Sequence, residues 1–300
     1  MIPHWVLLFT LLGCTEPELE TELETETVTA EVSTVSYRGW NRYTGACNVD
    51  TPLEVHEPAW AGRYPVFLYA VGTGALVSSD EAELAAAEMA KRGFVAAVLQ
   101  YDTLTGFSCP LMQAKASCAY AGWRTYSAVA TLCRRAKADC SRGIVVGGLS
   151  QGGSMAVLAA NADARIRAAW AMGFGGGAAG TGTQCYVDGQ TRLASDRLRV
   201  VNGRDGQAQP IANLNAATGT WCSSTNASCL RANGSGWYLV SDAQVEDGNA
   251  DHCYFVGPNA SGGEVGCTTA PARFDVGWAP PSYTPWSLQA NLDWLASFAD

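Results

Sequence analysis

The sequence predicts an α/β fold, with a mostly parallel central sheet and helices on both faces. Three observations carry that prediction. Short apolar runs such as Tyr64–Val71 (YPVFLYAV), Phe94–Tyr101 and Ile144–Val146 are too short for buried helices, and most are bounded by Gly or Pro, so they read as strands buried on both faces. Stretches rich in helix formers alternate with these runs, and strands alternating with helices form parallel βαβ units. With 48% apolar and 16% charged residues over 300 positions, the chain has enough apolar side chains for one core of this kind.

The first 13 residues hold an apolar run too short to span a bilayer and read as a secretory signal. The run ends in Leu11, Leu12, Gly13 and Cys14, which resemble a bacterial lipobox. That resemblance implies lipidation of Cys14 and a membrane attachment through the lipid, although the segment before it lacks Lys and Arg. Residues 14–31 follow as an acidic tether. Thr and Glu alternate there with almost no large apolar side chains, a composition that cannot bury enough surface to fold. Its seven Glu supply most of the net charge of −9, which leaves residues 32–300 near neutral and excludes the basic stripe of a nucleic-acid binder.

Within residues 32–300, β-like pieces around Thr34–Tyr37 and Leu53–His56 lead in as edge strands. The buried strand at Tyr64–Val71 is followed by a helix to Lys91, for which Ser78 and Glu81 match a capping box and Gly93 supplies the stop. Phe94–Tyr101 is the next strand, and Tyr120–Ala138 is helical in pattern. Ile144–Val146 begins the central strand, and Ile166–Met172, Leu198–Val201 and Trp237–Val240 continue the sheet. A last helix is expected over Pro285–Phe298. The Gly- and Ala-rich connection from Gly173 to Arg197 is too short for a lid domain, which predicts an open cleft.

Eleven Cys without a CxxC pair point to an oxidising compartment. With Cys14 set aside, ten remain. Neighbours in sequence suggest Cys109 with Cys118, Cys133 with Cys140, Cys222 with Cys229 and Cys253 with Cys267, leaving Cys47 for Cys185. Spacing does not fix that connectivity. The sequons at Asn226, Asn233 and Asn259 matter only in a host that glycosylates them.

Candidate chemistry centres on Gly148–Gly152, GLSQG, where a β-branched strand turns into an apolar helix. Gly148 and Gly152 leave room for a sharp turn, and Ser150 at its top is the candidate nucleophile. A serine hydroxyl needs a histidine base and a carboxylate to orient it. Of three His, His4 lies in the signal and His56 precedes the first central strand, whereas His252 follows the last strand. Asp205, four residues beyond Val201, is the candidate acid, with Asp242, Asp247 and Asp251 as rivals. The oxyanion would meet the Gln151 N–H and one from the VGTGA loop, Thr73 being the choice. Asp247, Asn249 and Asp251 mimic the first half of a calcium loop, but Gly is missing at its sixth position and Pro258 stands where Glu is required, so no metal is expected. No cofactor is expected either.

The runs YPVFLYAVGTGA, RGFVAAVLQYDT and GGLSQGG, with Asp205 and His252 following, resemble the α/β-hydrolase superfamily over most of residues 64–300. The resemblance is to lidless esterases of the dienelactone-hydrolase, chlorophyllase and cutinase or polyester-hydrolase kind. Cutinases also carry Gln after the serine, whereas bacterial polyester hydrolases usually show GHSMG. It implies an α/β-hydrolase fold, a Ser150–Asp205–His252 triad, an oxyanion hole of Thr73 and Gln151, and a monomer that cleaves carboxylic esters, small or polymeric, outside the cytoplasm. A peptidase or amidase on the same triad, and a non-catalytic surface-binding lipoprotein using exposed aromatics, are the alternatives.

Overall fold

A computed structural model describes residues 30–106, 108–174, 185, 190–205, 211–223, 225–257, 267 and 273–299. The signal segment, Cys14 and the tether to residue 29 lie outside the described residues, as do Asn259 and most of the Gly173–Arg197 connection.

Among the described residues one sheet has nine strands in the order β1-β2-β4-β3-β5-β6-β7-β9-β8. β1 (Glu31–Asn41) and β2 (Ala46–Glu57) form a long antiparallel hairpin, and β2 pairs antiparallel with β4 (Val95–Leu99). From β4 the strands run parallel: β3 (Val66–Ala70), β5 (Ile144–Leu149), β6 (Ile166–Met172), β7 (Leu198–Gly203) and β9 (Gly236–Val240). β8 (Ser228–Leu230) closes the far edge antiparallel to β9. The loops after the parallel strands therefore leave from one edge of the sheet. Every residue of β3, β4 and β5 is buried, as strands covered on both faces require, whereas β1 alternates in exposure as an edge strand does.

The helices cover the sheet in two groups. α1 (Asp80–Lys91) packs with the C-terminal helix, while α2 (Cys109–Tyr120) packs with α4 (Gln151–Ala162). α1 carries Asp80, Glu81 and Glu83 in its first turn and Lys91 in its last, matching the helix dipole, and buries Ala82, Ala85, Ala86 and Met89. Its N-cap is Ser79, with no side-chain cap bond, so the expected capping box from Ser78 is not formed.

The helix expected over Tyr120–Ala138 is divided differently. α2 starts earlier, with Pro110 in its first turn where a missing N–H costs nothing, and ends at Tyr120. α3 (Ala128–Cys133) then starts afresh, with Ser127 Oγ accepting from Ala130 N–H at 3.0 Å. A further helix, α5 (Ile211–Thr218), was not expected from the pattern. The last helix, α6 (Leu288–Ala296), is capped by Ser287, which leaves Pro285 outside it. The Pro285 carbonyl instead accepts from the buried Arg199 at 2.5 Å.

Five disulfides are present, and two differ from the expected pairing. Cys133–Cys140, Cys222–Cys229 and Cys253–Cys267 form as expected. Cys47 pairs with Cys118, and Cys109 with Cys185, in place of Cys47–Cys185 and Cys109–Cys118. The reason is the helix itself. Cys109 and Cys118 both lie on α2, where nine residues advance about 13 Å along the axis, beyond the reach of a disulfide.

Candidate active site

β5 delivers Ser150 to the turn that opens α4. Ser150 has φ 55° and ψ −116°, and among the described residues it is the only non-glycine with positive φ. Such a conformation costs about 1–3 kcal/mol and persists only where surroundings enforce it. The enforcement is visible in its neighbours. The Ser150 N–H donates to the Met172 carbonyl at 2.8 Å, tying the turn to the end of β6. A Cβ at Gly152 would overlap the Ala70 carbonyl oxygen at the end of β3, and one at Gly148 would overlap the Gly152 backbone. The two glycines are thus required because three backbone segments pack against one another beneath the serine.

Two N–H groups are placed as an oxyanion hole needs. Gln151 opens α4, so its N–H has no intrahelical acceptor. In the loop after β3, the Gly74 N–H is committed to Thr103 Oγ1 at 3.0 Å, while the Thr73 N–H donates to nothing among the described residues. Thr103 sits in the loop after β4, which is bound on several sides. Tyr101 Oη donates to the Val71 carbonyl at 3.0 Å. Asp102 takes a bidentate contact from Arg42, at 3.1 and 2.6 Å, and also accepts from Thr105 Oγ1. The buried Lys115 donates to the Thr105 carbonyl at 2.7 Å, and Gln151 Nε2 lies 3.5 Å from the same oxygen. Burial pulls the Lys115 ammonium down to about 8, against the pull of Asp102.

His252 reaches the site from the loop after β9. Its ring lies against Gly173, the residue after Met172, so closely that a Cβ there would fall 2.6 Å from Cε1 and 2.8 Å from Nδ1. Ser150 and His252 therefore meet the same Met172–Gly173 pair, one through its backbone and the other through its ring. Phe255 stacks edge-on to the His252 ring, with centroids 6.4 Å apart. The loop is seated on β7, because a Cβ at Gly203 would overlap the carbonyl oxygens of Ala250 and Asp251. Asn202 pins the other side: its Oδ1 accepts from the Phe174 N–H and its Nδ2 donates to the Phe174 carbonyl, both at 2.9 Å.

Asp205 stands two residues beyond β7 and is exposed. Its N–H donates to the Ala250 carbonyl at 3.2 Å, which brings it to the base of the His252 loop. A hydrogen bond from Asp242 and the repulsion of the same group raise the Asp205 carboxyl above its ordinary range, with Arg204 opposing. Of the rivals, Asp247 accepts from Asn249 N–H and Asp251 from Cys253 N–H, which are loop-forming roles. His56 is remote: it pairs with Ala96 at the start of β4, and its Nε2 lies 2.8 Å from Glu54 Oε1. Thr103, Lys115, Asn202 and Asp242 were not singled out as parts of the site from sequence, and no local motif marks them.

No family model and no curated protein matches the chain. Solved structures are similar to it. One is a cold-adapted esterase from an Arctic intertidal metagenomic library, 14% identical over 91% of this chain and 96% of that one, with a TM-score of 0.55. Another is a dienelactone hydrolase-like promiscuous phosphotriesterase from metagenomic libraries, 14% identical over 91% of this chain and 100% of that one, with a TM-score of 0.52. A hypothetical protein from Pseudomonas aeruginosa is 19% identical over 54% of this chain, which spans only 47% of it, with a TM-score of 0.39. Likeness at this level establishes the fold, and the fold is that of the α/β-hydrolases.

Proposed function

We propose that this protein is an extracytoplasmic serine hydrolase that cleaves carboxylic esters through an acyl-enzyme intermediate. The observation that carries the reading is the strained Ser150 at the strand-to-helix turn, sharing the Met172–Gly173 pair with the His252 ring. In this scheme Ser150 Oγ attacks the ester carbonyl carbon while His252 takes its proton. The oxyanion is held by the N–H groups of Gln151 and Thr73, donors that water would otherwise satisfy. His252 returns the proton to the leaving alcohol, and water then deacylates Ser150 by the same route. Asp205 is the carboxylate assigned to orient the histidine. Leu76 and Leu104 are exposed on the two loops joined by the Gly74–Thr103 bond, and favour an ester with an apolar portion.

Five disulfides support an oxidising compartment. Anchoring through a lipid on Cys14 belongs to the same proposal. A fluorophosphonate probe is expected to label the wild type and not Ser150→Ala, and the labelled chain should move from the membrane to the soluble fraction in Cys14→Ala. Equal labelling of wild type and Ser150→Ala would leave a non-catalytic surface-binding protein as the better account. Short acyl esters set beside peptide substrates separate the esterase from a peptidase or amidase.

A further inference from the structure

β7 and β9 lie side by side with Gly203 paired to Val240, so Asp205 and Asp242, each two residues beyond, leave the sheet together. The backbone around them closes on itself. Arg204 N–H donates to the Val240 carbonyl at 2.8 Å, Asp205 N–H to the Ala250 carbonyl at 3.2 Å, and Ala250 N–H to Asp242 Oδ1 at 2.8 Å. Asp242 thus grips the His252 loop two residues before the histidine. The Asp205 and Asp242 carboxyl groups also hydrogen bond to each other. Two ionised carboxylates can only accept, so that bond needs a proton held between them.

We propose that Asp242 is a positioning residue of this site, which fixes the His252 loop through Ala250, takes up a proton jointly with Asp205 as the pH falls, and so sets the lowest pH at which the enzyme works. The inference rests on the reading of Asp205 as the acid that orients His252. As pH falls, a proton enters the pair before it would enter an isolated carboxylate, and Asp205 loses the charge that steadies an imidazolium. Among the described residues, the other charged groups on the packed elements are Arg204, which opposes the effect, and Asp247 and Asp251, whose oxygens are engaged by the N–H groups of Asn249 and Cys253. The His252 ring itself lies on Gly173.

Asp242→Asn keeps an oxygen for the Ala250 N–H and removes the charge. Its acid limb of kcat/KM on a soluble short-chain ester is expected to move to lower pH, so that the ratio of the values at pH 5 and pH 8 rises at least about threefold over wild type. Asp242→Ala loses the oxygen as well and should show a lower kcat than Asp242→Asn at every pH. An unshifted acid limb in Asp242→Asn, alongside an inactive Asp205→Asn, overturns this inference alone. Loss of activity in Asp242→Asn as deep as in Ser150→Ala also overturns it, because Asp242 would then be the orienting acid. Full activity in Asp205→Asn overturns the assignment of Asp205 and the inference with it. Circular dichroism of each variant separates these outcomes from failure to fold.

Discussion

A methyl group added at Gly173 meets the far end of a side chain, whereas one added at Gly152 meets the Ala70 backbone. The ring of His252 can swing aside, but a β3 carbonyl in the middle of the sheet cannot. Gly173→Ala is therefore expected to fold and to lose kcat by about a hundredfold, since a base displaced by an ångström forfeits much of its advantage. Gly152→Ala should instead fail to fold or melt far lower. Thermal melts and ester turnover of the two variants check this, and a fully active Gly173→Ala would remove His252 from the reaction. At this scale the sequence was informative where the chemistry is contiguous. Strand, GLSQG and helix follow one another within twenty residues, so Ser150 and its two glycines could be found by pattern. Asp242 could be named only as a rival acid, because its grip on Ala250 and its bond to Asp205 depend on β7 and β9 lying adjacent.

The loop after β4 behaves as a unit, held by Arg42 through Asp102, by Lys115 through the Thr105 carbonyl, and bonded through Thr103 to Gly74 beside the proposed Thr73 donor. Burial lowers Lys115 from 10.5 to about 8, which has a consequence for stability. Between about pH 8 and 10.5 the unfolded chain holds a proton that the folded chain has released, so stability gains from this residue as pH rises through that window. Melting temperatures of wild type relative to Lys115→Met should accordingly rise from pH 8 to pH 10. Parallel curves would show that Lys115 titrates in the fold as it does in water. Helix boundaries were harder to read. Apolar residues continue from Tyr120 to Ala138, but Gly122 interrupts them and Ser127 caps a new helix, so the periodic pattern hid a break.

Across the molecule, the disulfides tie distant elements as well as local turns. Cys47–Cys118 fastens the β1–β2 hairpin to α2 across 71 residues, while Cys133–Cys140 closes only 7. Loop-closure entropy puts the first at about 4 kcal/mol and the second at about 2 kcal/mol. Cys47→Ala with Cys118→Ala should therefore lower the urea midpoint more than Cys133→Ala with Cys140→Ala, and the reverse order would contradict the entropic account. The sheet and its parallel core were legible because β3, β4 and β5 are short, apolar and buried throughout. The long bridges were not, because sequence distance carries no trace of which helix face meets which strand.

The order of the parallel strands also gives the chain a timetable. Under the proposed assignment, the nucleophile follows β5, its acid follows β7 and its base follows β9, so the parts leave the ribosome in the order Ser150, Asp205, His252. A chain still emerging can fold its central strands and expose a serine on its turn, yet it has no base to activate it. Hydrolysis is thus silent during synthesis and export, and begins only once the segment beyond β9 has docked on Gly203 and Gly173.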